Sequence, residues 1–140
     1  MTVNLLTINQ QVHLNQLKRV LLIEDNHVNR MLLSDYLGYC GFNVKSLSKG
    51  TALFSTVNTF QPDLVLLDLK LPDIDGYWLL EQIQKHPYLS KIPVIVVSAF
   101  AFKADQERAI HLGARRYLVK PINLAALMMT IQEELACHCI

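Results

Sequence analysis

The sequence has 140 residues, of which 51% are hydrophobic and 18% are charged, and its formal net charge at pH 7 is +1. This composition is typical of one globular domain and excludes a disordered chain, and the small charge without a basic run gives no indication of nucleic-acid binding. The longest apolar runs are far shorter than a membrane span, and the first positive charges follow the apolar residues, the reverse of a secretory signal. We therefore expect a soluble, cytoplasmic domain that acts without nucleic acid or membrane.

The two ends of the chain carry little pattern. Residues 1–17 are weakly helical, and we expect them to form a short leading helix or to stay loose. Residues 137–140, which read CHCI, form a tail. Cys137 and Cys139 could offer metal ligands there, but nothing elsewhere supplies the matching pair that a closed zinc site needs. The folded domain is therefore expected over residues 18–136.

The first half of this domain alternates strand and helix twice. RVLLIE is a continuous apolar run that ends in acids, which is typical of a buried strand. NHVNRMLLSDYLGYCG follows with helical period and is closed by Gly41, and its apolar positions at that period are Val28, Met31, Leu32 and Tyr36. FNVKSL is a weaker, alternating strand, and GTALFSTVNTF is a short helix that stops before a proline.

The second half continues the alternation. DLVLLD is a fully apolar strand, GYWLLEQIQKH is a helix ended by a proline, and IPVIVVSA is another buried strand. KADQERAIHLGA is a polar helix closed by Gly113, RRYLVK is the last strand, and NLAALMMTIQEELA is the last helix. Five strands and five helices in strict alternation, with continuous apolar strands, predict an α/β fold whose parallel sheet is covered by helices on both faces.

Polar side chains end four of the predicted strands. The first strand ends in Glu24 and Asp25, the third in Asp68, the fourth in Ser98 and the fifth in Lys120. In an open parallel α/β sheet, ligands bind in the crevice beyond the carboxyl ends of the strands. We therefore expect three acids, a hydroxyl and an ammonium group to meet at one edge of the sheet.

This set of groups is suited to phosphoryl transfer. Three carboxylates repel one another unless a cation is present, and oxygen ligands with room for water suit Mg²⁺. A free aspartate can act as the nucleophile, while the metal and the ammonium neutralise charge on the phosphoryl oxygens and the hydroxyl holds one of them. Each residue also has an ordinary alternative role: Glu24 and Asp25 as solvated acids that cap the next helix, Lys120 as a surface lysine, and Ser98 as a satisfied hydroxyl.

Four segments in this order and spacing, LLIEDN, DLVLLDLKLPDIDG, PVIVVSAFA and YLVKPI, resemble the receiver domain of two-component response regulators. The resemblance implies a flavodoxin-like, doubly wound sheet of five strands in the order 2-1-3-4-5. It also implies that Asp68 accepts a phosphoryl group from a phosphohistidine on a histidine kinase or a histidine phosphotransfer protein. Such a domain is a signalling phosphoacceptor and not an enzyme, because it catalyses only its own phosphorylation and dephosphorylation.

The same resemblance assigns roles to the site residues. It implies that Asp25 and Asp68 bind Mg²⁺ directly, that the backbone carbonyl of Lys70 completes the protein ligands, and that Glu24 acts mostly through a bound water. Lys120 would pair with Asp68 and later with the phosphoryl group.

A second group of residues would carry the switch. Ser98 would move towards the phosphoryl oxygen, and Tyr117 would turn inward behind it. The ordinary alternative for Tyr117 is half-buried packing in its strand. The resemblance also makes the bond between Lys120 and Pro121 a candidate for the cis form.

Two positions are expected to tune the lifetime of the phosphorylated state. Lys70 lies two residues past Asp68, and Phe100 lies two residues past Ser98. We expect bulky Phe100, together with Lys70, to hinder attack by water. Phe100, Phe102 and Tyr117 are further candidates for a surface that changes on phosphorylation and recruits a partner or a second copy, with burial of both phenylalanines against the sheet as the alternative.

Other classes remain as alternatives. An aspartate-nucleophile phosphatase of the haloacid-dehalogenase type would carry D-x-D, whereas the sequence has Lys70 in the second acid's place. A dinucleotide-binding fold would need G-x-G-x-x-G after the first strand, and no such motif follows it. A degenerate receiver, which only docks partners, would be expected to lose Asp68, Lys120 or the acidic pair, and all of these are present. Within the receiver interpretation, a stand-alone regulator is our first choice, but EDNHVNR also resembles receivers attached to hybrid histidine kinases, so an excised receiver domain stays open.

Overall fold

A five-stranded sheet forms the centre of the computed structural model, which describes residues 18–137. The strands are Arg19–Ile23 (β1), Asn43–Leu47 (β2), Leu64–Leu67 (β3), Val94–Ser98 (β4) and Arg116–Val119 (β5). Their order is β2-β1-β3-β4-β5, and every neighbouring pair is parallel. The predicted sheet order is therefore confirmed.

Five α-helices alternate with the strands, one after each strand, as the sequence predicts. They are His27–Tyr39 (α1), Leu53–Phe60 (α2), Gly76–Lys85 (α3), Lys103–His111 (α4) and Leu124–Cys137 (α5). Short 3₁₀ turns at Gly50–Ala52 and Leu89–Lys91 precede α2 and β4. Among residues 18–137, no helix is both long and apolar enough to cross a membrane.

The apolar strands are buried on both faces because successive side chains point to opposite sides of a strand. Leu21 and Ile23 of β1 pack in one core with side chains of α2, α3 and α4. Val20 and Leu22 pack in a second core with side chains of α1 and α5. Helices therefore cover both faces of the sheet, which confirms the doubly wound fold.

The predicted apolar face of α1 is wrong for three of its four residues, and only Tyr36 packs on the sheet. Val28, Met31 and Leu32 are exposed by 70%, 49% and 53%, whereas Leu33 and Leu37 are buried against the second core. This helix carries two apolar stripes, and helical period alone does not tell which of them faces the sheet. The structure therefore leaves Val28, Met31 and Leu32 on the surface of α1.

Two expectations about the ends of the chain cannot be compared with the fold. The extension predicted for residues 1–17 and the last three residues of the tail lie outside the described residues. The final helix α5 ends at Cys137.

Candidate functional site

The parallel register brings the predicted site residues to one edge of the sheet. Ile23 of β1 is paired with Leu67 of β3, so Glu24 and Asp68 follow on adjacent strands. The backbone N–H of Asp68 donates to the carbonyl of Ile23 at 3.0 Å, and that of Lys120 donates to the carbonyl of Ser98 at 2.9 Å. These bonds extend the strand pairing past the strand ends and fix the backbone beneath the site.

Lys120 joins two buried acids. Its Nζ donates to both carboxylate oxygens of Glu24 at 2.9 Å and to Oδ2 of Asp68 at 2.7 Å. Glu24 is 1% exposed and Asp68 is 4% exposed. Buried carboxylates need a partner to offset their lost hydration, and the ammonium group supplies it for both. The alternatives in which Glu24 is a solvated acid and Lys120 a surface lysine are therefore wrong.

The charges at the site do not balance, because one ammonium faces two buried acids. Burial, and then the hydrogen bond with Asp68, raise the pKa of Glu24 to about 7, although Lys120 acts in the opposite direction. Burial by itself would lower the pKa of Lys120, but its hydrogen bonds to Asp68 and Glu24 raise it overall. Near neutral pH, Glu24 is therefore a group that exchanges a proton.

The three acids fit a hard divalent cation. Glu24, Asp25 and Asp68 each offer a carboxylate oxygen, and these oxygens lie within 4.8 Å of one another. Asp25 is exposed, and its carboxylate makes no hydrogen bond or ion pair with another residue among residues 18–137. Oxygen ligands with one side open to water are the donors that Mg²⁺ prefers.

Ser98 and Tyr117 are joined through the backbone of Phe100. The buried Oγ of Ser98 accepts a hydrogen bond from the N–H of Phe100 at 3.1 Å, and the hydroxyl of Tyr117 donates to the carbonyl of Phe100 at 2.7 Å. Tyr117 is half-buried, and burial raises its pKa. Phe100 packs against the core, whereas Phe102 is 81% exposed, so the alternative that buries both phenylalanines holds for only one.

The loop after Asp68 is held at several points. The N–H of exposed Lys70 donates to Oδ1 of Asp68 at 3.0 Å, and the part of Lys70 as a ligand through its carbonyl stays a prediction. Asp73 accepts hydrogen bonds from the N–H groups of Gly50 and Thr51 at 3.1 Å and 3.0 Å. Asp75 caps α3 by accepting from the N–H of Tyr77 at 3.0 Å.

The cap of α1 is Asn26, and not one of the two acids before it. Its Oδ1 accepts a hydrogen bond from the N–H of Asn29 at 3.0 Å. The alternative in which Glu24 and Asp25 cap this helix is therefore wrong. The bond between Lys120 and Pro121 is cis, as expected.

Sequence reasoning missed two sets of contacts. Arg30 donates to the backbone carbonyls of Glu24 and Asp25 at 2.9 Å and 3.2 Å. On the other side of the site, the hydroxyl of Tyr77 donates to the carbonyl of Asp105 at 3.3 Å and to its Oδ1 at 3.4 Å. These contacts link side chains to distant or backbone atoms, so periodicity and motif spacing carry no signal for them.

An apolar groove of about 450 Å³ borders the site. It lies between α1 and the start of α5, and its lining includes Asn29, Leu32, Leu33, Lys120, Pro121, Ile122 and Leu124. Because Lys120 belongs to both, the groove is continuous with the cluster of acids.

Comparison with known proteins agrees with this geometry. A family model of the response regulator receiver domain matches residues 20–132. The polar-differentiation response regulator DivK of Brucella anthropi is 33% identical over 118 residues, which are 84% of this chain and 96% of that protein.

Solved structures are similar over most of the chain. The receiver domain of a sensor histidine kinase from Pseudomonas aeruginosa, with a magnesium ion coordinated in its active site cleft, is 28% identical. Its TM-score is 0.78, over 85% of this chain and 98% of that chain. A CheY-like response regulator receiver domain protein from Methanospirillum hungatei is 26% identical, with a TM-score of 0.80 over 86% and 95% of the two chains. The chain therefore belongs to the response regulator receiver domain family of two-component signalling.

Proposed function

We propose that this chain is the phosphoacceptor of a cytoplasmic two-component phosphorelay and that it signals by protein contact. Asp68 receives the phosphoryl group from a phosphohistidine on a histidine kinase or a histidine phosphotransfer protein. The observation that carries the proposal is a buried Asp68 bonded to Lys120 beside two further acids. A chain taken from a hybrid histidine kinase would do the same chemistry, and the similarity to a histidine kinase receiver favours keeping this second candidate.

Each site residue has a step in the transfer. A carboxylate oxygen of Asp68 attacks phosphorus as the bond from phosphorus to the imidazole nitrogen breaks. Lys120 neutralises charge on the transferred group. The proposed Mg²⁺ ligands are Asp25 and Asp68 directly, the carbonyl of Lys70, and Glu24 through water. When bound, the ion supplies positive charge opposite the phosphoryl oxygens.

The bonds around Phe100 support a role for Ser98 and Tyr117 in switching. When Ser98 turns its hydroxyl towards a phosphoryl oxygen, the N–H of Phe100 loses its acceptor. Tyr117 is bonded to the carbonyl of the same residue, so movement of this segment also releases the tyrosine. The conformational change thus begins at the acceptor site and reaches the surface around α4.

The exposed apolar stripe of α1, formed by Val28, Met31 and Leu32, supports docking of the phosphodonor protein on this face. A phosphohistidine can reach Asp68 only if its protein covers the surface around the site. The groove next to Lys120 and the apolar stripe of α1 are part of that surface. We expect Leu32→Glu to leave phosphorylation by acetyl phosphate unchanged and to slow transfer from a phosphotransfer protein that phosphorylates the parent. The matched control is Met129→Glu, on an exposed position of α5.

The proposal also includes a homodimer that forms on phosphorylation through the surface around Phe102 and Tyr117. Phe102 is exposed beside the segment that moves in the proposed switch. Analytical ultracentrifugation with and without beryllofluoride, a mimic of the phosphoryl group, tests this part. An unchanged sedimentation coefficient would remove the dimer from the proposal and leave the acceptor function standing.

Incubation with acetyl phosphate and Mg²⁺, followed by intact mass measurement, tests the acceptor function. The parent should gain the mass of one phosphoryl group, and Asp68→Ala should gain none. Asp63→Asn is the matched control, because it alters an acid at the opposite end of the same strand, where Asp63 accepts a hydrogen bond from the backbone N–H of Arg19. Phosphorylation of Asp68→Ala, or none of the parent, would contradict the proposal.

A further inference from the structure

Asp25 differs from the other two acids of the site in what holds it. Glu24 and Asp68 are fixed through their side chains by Lys120, and Asp68 also by the N–H of Lys70. The carboxylate of Asp25 has no such contact within the described chain. Its position within 4.8 Å of the other acids is therefore set by the backbone that carries it.

Arg30 fixes that backbone. Its Nη1 donates to the carbonyl of Glu24 at 2.9 Å and to the carbonyl of Asp25 at 3.2 Å, so one nitrogen binds two consecutive peptide groups. Its Nη2 lies 3.3 Å from Nδ1 of His27, at the start of α1. From the other side, the N–H of Glu24 donates to the carbonyl of Leu47 at 3.0 Å. The segment that carries both acids is thus bonded from two directions.

Helix stability does not explain Arg30 at this place. The N-terminal end of a helix carries a partial positive charge, so a cation near it is not favoured there. Hydrogen bonds from a charged donor to two backbone carbonyls are, by contrast, among the stronger polar contacts that a half-buried arginine can make. The contacts of Arg30 are therefore made with the loop that carries the acids.

We propose that Arg30 is a positioning residue for the metal site: its guanidinium holds the backbone of Glu24 and Asp25 so that the carboxylate of Asp25 is in place before Mg²⁺ binds. This inference rests on the proposed function, because it takes the three acids as the cation site. Groups that orient metal ligands change metal affinity by about 10- to 100-fold when they are lost.

Two substitutions separate positioning from plain charge. Arg30→Lys keeps the positive charge, but its side chain is shorter and has no second nitrogen to contact His27 while the first binds the two carbonyls. Arg30→Gln removes the charge. If Arg30 acted only through its charge, Arg30→Gln would bind Mg²⁺ more tightly than the parent, because a repelling cation is gone, and Arg30→Lys would match the parent. If Arg30 positions Asp25, both variants bind Mg²⁺ more weakly, by about 10-fold.

Isothermal titration calorimetry with Mg²⁺ alone measures these affinities in the parent, in both variants and in Arg19→Gln, which removes an exposed arginine at the far end of β1. NMR relaxation of the metal-free proteins adds a readout that does not depend on the ion. Order parameters of the Asp25 and Asn26 amides should fall in both Arg30 variants and stay unchanged in Arg19→Gln. Urea denaturation midpoints establish that the variants are folded.

The outcomes separate this inference from the proposed function. Weaker binding together with lower order parameters in both Arg30 variants supports the positioning role. Parent-like affinity in Arg30→Lys, or tighter binding in Arg30→Gln, overturns it while the acceptor function stands. A parent that binds no Mg²⁺ overturns both.

Discussion

Glu24→Gln replaces a buried carboxyl with a neutral side chain of the same shape, and it should change how stability depends on pH. In the folded protein the pKa of Glu24 is about 7, compared with 4.5 for a free glutamate. Between these values the folded state holds a proton that the unfolded state has released. The free energy of unfolding of the parent therefore falls as pH rises from about 4.5 to about 7.

The size of this change follows from the difference in pKa. One pKa unit corresponds to about 1.4 kcal/mol, so the shift of Glu24 corresponds to about 3 kcal/mol once the pH is above its folded pKa. Other shifted groups titrate outside this window. Burial by itself would raise the pKa of Asp73, but hydrogen bonds from Thr51 and Gly50 lower it overall below its usual 3.8, and the pKa of Lys120 is raised above its usual 10.5.

Urea denaturation in the presence of EDTA, from pH 5 to pH 8, measures the effect. The fluorescence of Trp78, the single tryptophan of the sequence, reports unfolding. We expect the parent to lose about 2 to 3 kcal/mol over this range relative to Glu24→Gln, because a small part of the effect falls below pH 5, and the difference between the two proteins cancels the titration of histidines. Saturating Mg²⁺ at pH 8 should raise the free energy of unfolding of the parent more than that of Glu24→Gln, because a ligand stabilises the state that binds it. Equal pH profiles of the two proteins would refute the reasoning.

Three further substitutions test packing, the attachment of α4 and the lifetime of the phosphorylated state. Gly76→Ala should destabilise the protein by about 3 kcal/mol in thermal denaturation, because a Cβ would overlap the backbone of Leu69. Its control, Gly38→Ala in open space on α1, should instead stabilise by about 0.5 to 1 kcal/mol. Tyr77→Phe removes the hydroxyl that binds α4, so the α4 amides should exchange faster with deuterium; unchanged rates would contradict this role. Phe100→Ala should speed the decay of phosphorylated protein in Mg²⁺, because Phe100 is expected to hinder attack by water. Decay no faster than that of the parent would contradict this role of Phe100.

The strands and the edge that carries the site could be predicted because their signals are local. DLVLLD and IPVIVVSA are short runs that are apolar at successive positions, as strands buried on both faces require. In a parallel sheet the carboxyl ends lie together, so the residues after each run, such as Asp68 and Lys120, had to meet. The sheet order came from the resemblance and is confirmed by the structure.

The parts that could not be predicted depend on geometry between segments. Helical period fits Leu33 and Leu37 as well as the predicted Val28 and Leu32, and only packing on the sheet decides that Leu33 and Leu37 are buried. Arg30 donates its hydrogen bonds to backbone carbonyls, which every residue possesses, so no pattern of residue types in the sequence predicts these contacts.

The shallow packing of α4 has a consequence for how such a protein changes over generations. Of the nine residues of α4, Ala109 is the one that is buried, and most of the remaining side chains meet water. Exposed positions accept substitutions with little loss of stability. Apart from Asp105 and Arg108, which contact Tyr77, this helix is therefore free to diverge after gene duplication. Two copies could acquire different binding preferences on α4 while keeping the same chemistry at Asp68.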